Sequence, residues 1–395
     1  ELVTNKREVA EEFKSYFDKL LNNTTIRTNE HTNMQYSSPS RSEINAAINK
    51  LKNNKAPGEN HIVAELVKNS EEAVKNEMWK LINIIWEKQQ IPEEWNTAII
   101  CPIFKKGNIL ETKNYRGITL LDTCYKILSS ILLERLAPFA EEIVGRYQCG
   151  FRKGRSTTDQ IFILNQVMEK HYEFNKDLYM VFIILGNESI LAYADDIVIL
   201  GNTRQEITQT TSELLGASKK IWAMRNLTFE KVENFKYLGV NINSKNDMHR
   251  EVSERIASGN RCYHSISKLL KSKLLSRKSK TLLYTSYLRP VITYACETWS
   301  STKGDSNRLA IFERKVLRNI FGPIYNTELR IFERRKNEDL YRLLSKPNIT
   351  TYIKIKRMEW FGHVWRADGD IIKKVLTETI QKKRPIGRPR TRWKD

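Results

Sequence analysis

The tightest constraint in this sequence is a distance along the chain. Residues 178–185 are apolar and β-branched, as a buried strand requires, and Ile197-Val198-Ile199-Leu200 reads as another strand. Only nine residues, 184–192, separate Ile183 from the tetrapeptide Tyr193-Ala194-Asp195-Asp196. A crossover that carries its own helix needs at least ~10–12 residues, and a whole βαβ unit ~30. Residues 178–200 can therefore form only a hairpin or an exposed β segment, with an aggregation risk because the apolar strands lose their covering helices. The adjacent carboxylates of Asp195 and Asp196 fall at or near the hairpin tip, between the short apolar segments 189–192 and 197–200. Side by side at a mostly apolar turn they repel. A divalent cation relieves this, since Mg²⁺ takes hard oxygen ligands and shares its shell with substrate phosphates. The chemistry implied is phosphoryl transfer, one ion activating an attacking 3′-hydroxyl and the other steadying the leaving pyrophosphate. The plain alternative is an Asp-Asp pair in a solvent-exposed hairpin.

Elsewhere the pattern is mixed. Val9, Phe13, Phe17 and Leu20 recur at helical spacing, followed by a polar, turn-rich stretch to residue 38. Ser40 and Glu43 form a capping-box signature, and Ile44, Ile48 and Leu51 mark a helix that stops near Lys55-Ala56-Pro57-Gly58. Further helices are expected over 74–89, 121–136 and 157–173, with a buried strand at 97–104. Helices dominate from 203 onward apart from a short strand around 235–242, so the expected class is α+β.

Charge is unevenly spread. The formal net charge is +20, yet residues 1–249 hold 32 basic and 32 acidic side chains. The excess lies in 250–320 (15 against 5), 321–370 (10 against 7) and 371–395 (9 against 2). Charge concentrated in this way suits a polyanion, because each neutralised phosphate releases counterions, and nucleic acid is the leading partner. The alternative is a set of solvated helix faces. The longest apolar run, residues 179–185, is far below the ~18 residues a transmembrane helix needs. Five scattered cysteines and six histidines show neither a disulfide framework nor zinc-ligand spacing. A start at Glu1 with no charged-then-apolar leader suggests a fragment or conceptual translation and not a secreted precursor.

Tyr193-Ala194-Asp195-Asp196-Ile197 resembles the palm signature of reverse transcriptases from LINE-type (non-LTR, RTE- or Jockey-like) retrotransposons. Two upstream blocks stand in the same order. Pro102-Ile103-Phe104-Lys105-Lys106-Gly107 with Asn114-Tyr115-Arg116-Gly117-Ile118-Thr119-Leu120 resembles the first fingers motif, and residues 148–160 (Gln-Cys-Gly-Phe-Arg-Lys-Gly-Arg-Ser-Thr-Thr-Asp-Gln) the second. The resemblance continues through Phe235-Lys236-Tyr237-Leu238-Gly239-Val240 and Trp360-Phe361-Gly362-His363-Val364 to residues 387–393. It implies RNA-directed DNA synthesis from a primer 3′-end, with an RNA template, a DNA primer and dNTPs as partners and Mg²⁺ or Mn²⁺ as cofactor. Asp195 and Asp196 would be catalytic metal ligands. Lys105, Lys106, Arg116, Arg152 and Arg155, beside turn-forming glycines at 107, 117, 150 and 154, would hold template and triphosphate, with Tyr193 near bases or sugars.

The sequence also departs from this pattern. The strand at 178–183 should end in a catalytic Asp, followed by a helix and a Gln-Gly motif before the hairpin, but Ile184 stands at that point. Past the hairpin, Trp222-Ala223-Met224-Arg225 replaces the usual Gly-Leu-x-Ile-Asn strand, and Asn60 replaces an Asp. The resulting expectation is an internally truncated, inactive right-hand polymerase. Its parts are a helical linker (1–38), a fingers-like region (39–177), a truncated palm (178–245), a basic thumb-like helical region (246–322) and a C-terminal helical region with a basic tail (323–395). In the tail, Arg384, Arg388, Arg390 and Arg392 lie in a Pro-stiffened segment that weakly resembles an AT-hook and is suited to a narrow minor groove. The competing reading is a non-enzymatic nucleic-acid-binding relic that uses its basic C-terminal half, and a third is a pseudogene product that folds poorly. The resemblance places the protein in nucleus and cytoplasm, without a membrane or an evident protein partner.

Overall fold

The computed structural model describes residues 5–22, 37–144, 148–184, 196–219, 230–367, 371–380 and 392–394. The chain divides into two compact units, residues 1–144 and 145–395. Every sheet among the described residues is a two-stranded antiparallel hairpin within a largely helical chain, an α+β architecture.

In the first unit, α1 (Lys6–Leu21) is capped by Asn5, and α2 (Arg41–Lys50) opens with the expected box: Ser40 Oγ accepts from Glu43 N, and Glu43 accepts from Ser40 N at 2.8 Å. Then come α3 (Ala64–Lys68), α4 (Glu72–Lys88), the hairpin β1 (Ile99–Phe104) and β2 (Tyr115–Leu120), and α5 (Thr123–Ile143). Ile44 and Ile48 of α2, Ile82 of α4, and Ile127 and Ile131 of α5 form the core. Their i, i+4 spacing lines one face of each helix, which is why the periodicity was readable. Arg135 of α5 clamps α2: its Nε donates to Glu43 Oε1 at 2.8 Å, its Nη1 to the Ser37 carbonyl at 2.6 Å, and its guanidinium lies over the Trp86 ring. The strand expected to be buried at 97–104 is instead almost wholly exposed. It has a single partner strand among the described residues, and Phe13 and Phe17 of α1 pack against that partner.

The second unit begins with α6 (Thr157–Glu173), whose bounds match the periodicity and whose start is a Ser156–Asp159 capping box. β3 (Tyr179–Ile184) and β4 (Asp196–Gly201) pair directly, from Tyr179↔Gly201 to Ile184↔Asp196, and α7 (Arg204–Lys219) follows. The single strand expected at 235–242 is two strands, β5 (Asn234–Tyr237) and β6 (Val240–Asn243). Leu238 and Gly239 between them both have positive φ, as a two-residue type I′ turn demands.

Helices α8 (Met248–Ser265), α9 (Ser267–Lys271), α10 (Arg277–Leu283), α11 (Arg289–Ile292) and α12 (Lys303–Phe321) then build the largest core, around Tyr284, Leu288, Trp299 and Leu317. The hairpin β7 (Ile324–Asn326) and β8 (Ile331–Glu333) precedes α13 (Asn337–Leu344), α14 (Ile349–Arg366) and α15 (Ile371–Thr377). One charged network is buried in this core. Glu313 accepts from Tyr284 Oη at 2.6 Å, Arg289 Nη2 at 3.2 Å and Ile349 N at 2.8 Å, so its charge is compensated on all sides. Burial, then the Glu313 charge, push the Tyr284 hydroxyl well above the usual phenol range.

Candidate functional site

The β3–β4 hairpin is held on both faces. Met180, Phe182 and Val198 turn toward Ile161, Leu164, Tyr237 and Ile242, with the Phe182 and Phe235 rings stacked at 4.2 Å. Val181 and Ile199 face the other way, against Ile207 of α7. This is the period-two alternation of a hairpin partly covered on both faces, and for the described strand residues it corrects the expectation that the shortened segment loses its cover. Tyr193 and Asp195 lie outside the described residues. Asp196 is the first residue of β4, and the residue across the ladder from it is Ile184. An isoleucine offers no oxygen, and no group of three His, Cys, Asp or Glu able to hold a metal occurs among the described residues.

The cations expected to grip template and triphosphate fall in both units. Lys105 and Lys106 are exposed just past the end of β1, and Arg116 is exposed on β2, opposite Ile103, so these three share one end of a hairpin in the first unit. Hydrogen bonds fix the loop between the strands: Lys105 N donates to Asn114 O at 2.8 Å, and Asn114 Nδ2 to Asn108 O at 2.9 Å. Arg152 and Arg155 stand in the second unit, half-buried in the turn before α6, where Arg152 Nη1 donates to the Gln148 carbonyl at 3.2 Å. Phe151 beside them is 85% exposed and has positive φ. Gly107 and Gly154 do sit in turns with positive φ, but Gly117 does not. It lies within β2 opposite Pro102, and a Cβ there would come 2.7 Å from the Phe17 ring, so this glycine admits α1 against the strand.

Of the tail, Arg384, Arg388 and Arg390 lie outside the described residues. Arg392 lies 3.6 Å from Glu173 in an ion pair, and the next residue is anchored firmly. Trp393 is 4% exposed. Its ring meets Phe162 edge-on at 4.9 Å, its Nε1 donates to Glu297 O at 2.6 Å, and its own N donates to Glu169 Oε2 at 2.9 Å. Arg357 lies over the indole and donates to the Trp393 carbonyl.

Comparison with known proteins finds transposon and retrotransposon proteins. The chain is 27% identical over 237 residues to a transposon-derived protein of Caenorhabditis elegans, covering 53% of this chain and 84% of that one. It is 27% identical over 142 residues to a retrovirus-related Pol polyprotein from the type-1 retrotransposable element R1 of Bradysia coprophila (35% of this chain, 14% of that one). It is 26% identical over 138 residues to the RNA-directed DNA polymerase from mobile element jockey of Drosophila melanogaster (33% and 15%). The homologues are non-LTR retrotransposon proteins. No family model matches the chain. The chain spans only about a seventh of the R1 and jockey proteins.

One feature is not apparent from the sequence. Arg314, Lys315 and Arg318 of α12 face Arg334, Arg335 and Lys336 across a groove of about 1020 Å³. Two signals were present, the Arg-Arg-Lys triplet at 334–336 and the i, i+4 pair Arg314 and Arg318. Sixteen positions separate Arg318 from Arg334, so no local run of charge joins the two clusters.

Proposed function

We propose that the protein is a remnant of a retrotransposon reverse transcriptase that no longer polymerises and retains nucleic-acid binding through its basic C-terminal half. The observation that carries this reading is the direct β3–β4 ladder with Ile184 opposite Asp196. In the reverse-transcriptase pattern a catalytic Asp, a helix and a further motif intervene between these strands. Here the first strand passes to the second with eleven residues, 185–195, between them, and the ladder leaves the position of the first Asp to isoleucine. The fingers-like, truncated palm and thumb-like regions are then the surviving parts of a right-hand polymerase, with RNA template, DNA primer and dNTPs the partners of its parent.

Primer extension on an RNA template, with Mg²⁺ or Mn²⁺ and with Asp195→Asn alongside the unmodified chain, tests the proposal. No extension is expected from either protein, while both bind the primer–template with salt-sensitive affinity. Extension by the unmodified chain that disappears in Asp195→Asn would mean a working palm and would overturn it. A specific observation favours a binding role over a poorly folded pseudogene product: the second unit has a large helical core with a compensated buried charge network. A cooperative melt is the corresponding expectation.

A further inference from the structure

The groove between α12 and the 334–338 segment is lined by six cations, Arg314, Lys315, Arg318, Arg334, Arg335 and Lys336, against one carboxylate, Glu338. None of the six belongs to an ion pair among the described residues, whereas other arginines of the chain are matched, Arg135 with Glu43, Arg255 with Glu251 and Arg289 with Glu313. The hydrogen bonds that hold the groove cations go to neutral groups. Arg318 Nη2 donates to Asn337 Oδ1 at 2.7 Å, Arg335 Nε to the Gly322 carbonyl at 3.0 Å, and Lys315 Nζ to Asn260 Oδ1 at 3.4 Å. Arg318 Nε is buried with no hydrogen-bond partner among the described residues. Partial burial, then the like charges of Arg334 and Arg314, disfavour the Arg318 cation. Six like charges gathered against a single carboxylate cost stability, and an anion seated among them removes that cost. The N-terminus of α13, which has no side-chain cap, opens at Lys336 on the same groove and adds donors of the same polarity.

The hairpin that precedes the groove segment carries exposed rings. The groove segment follows β8 directly, and the Arg335 bond to Gly322 ties it to the base of the β7–β8 hairpin. That hairpin exposes Tyr325 (49%) and Phe332 (72%), their rings 5.0 Å apart. A cationic channel next to exposed rings is the pairing that single strands use, backbone on charge and bases on aromatic faces. We propose that this groove binds single-stranded nucleic acid, its phosphates on the six cations and its bases against Tyr325 and Phe332. The inference rests on the nucleic-acid reading above and assigns that binding to a place.

The test is a salt titration of full-length protein with fluorescent oligothymidine and oligouridine. Lys315, Arg334 and Lys336 are all exposed, so the triple variant K315Q/R334Q/K336Q is expected to melt with the unmodified chain. It should flatten the slope of log K against log salt by about 2, since each single-strand contact contributes ~0.7, and weaken binding by at least about tenfold at 0.1 M salt. Phe332→Ala should weaken binding with no change in slope. The control K19Q/K52Q/K88Q removes the same charge from exposed positions of the first unit and should leave the slope unchanged. Equal losses in the triple variant and the control, an unaffected triple variant, or equal competition by polyglutamate would each overturn the groove assignment. Absence of binding by the unmodified chain would instead defeat the nucleic-acid reading on which the assignment rests.

Discussion

Truncating Trp393 to alanine tests whether the end of the chain is structural. The indole is 4% exposed, with Phe162 edge-on at 4.9 Å and a hydrogen bond to Glu297 O at 2.6 Å. Replacing a buried aromatic by alanine costs about 3–5 kcal/mol through lost burial and the cavity left behind. In a unit the size of residues 145–395, each kcal/mol moves the melting temperature by about 2–4 °C, so the expected drop is roughly 6–20 °C. Trp393→Phe separates the two contributions. It keeps most of the apolar contact and deletes only the Nε1 donor, about 1 kcal/mol and roughly 2–4 °C. Thermal unfolding followed by circular dichroism reads both, with limited trypsin digestion reporting exposure of the basic segment 382–392. A melting temperature for Trp393→Ala within about 1 °C of the unmodified protein would refute the reasoning, because it would mean that residues 392–394 undock without the core noticing.

Two further outcomes follow from the first unit. Gly117→Ala sets a methyl 2.7 Å from the Phe17 ring and 2.9 Å from Ile100, an overpacking expected to cost about 1–3 kcal/mol, and an unchanged denaturation midpoint would show that α1 does not rest on β2. The bond from Arg135 holds the Glu43 carboxyl down at about 2 from an ordinary 4.5. Because the folded value is the lower one, this stabilisation is full above about pH 4.5 and is lost as pH falls toward about 2. Solvent screening limits it to about 1 kcal/mol, since the pair is partly exposed, and Glu43→Gln should remove that part of the acid dependence in a pH series of urea melts.

Much of the fold was legible because it is locally encoded. The capping boxes at Ser40 and Ser156 are satisfied within four residues, and α6 begins and ends where its apolar period does. The β5–β6 turn was missed because Leu238 takes positive φ, a conformation its side chain does not advertise. The exposure of β1 was missed because an apolar β-branched run reads the same whether one or both of its faces are covered. At the candidate site, the order of the motifs and the lack of room before Asp195 needed only the sequence. The grouping of Lys105, Lys106 and Arg116 in one unit, with Arg152 and Arg155 in the other, needed the structure.

What the sequence determined alone is whatever depends on neighbours along the chain: helix periods, caps, the span of 184–192 that leaves room only for a hairpin, and the basic excess after residue 249. Tertiary structure decided what covers that hairpin, that Trp393 is core and not tail, and that Arg314 and Arg318 meet Arg334–Lys336 across a groove. Burial and charge density are sums over residues brought together in space, and contacts between residues far apart in the chain are not written in any local period.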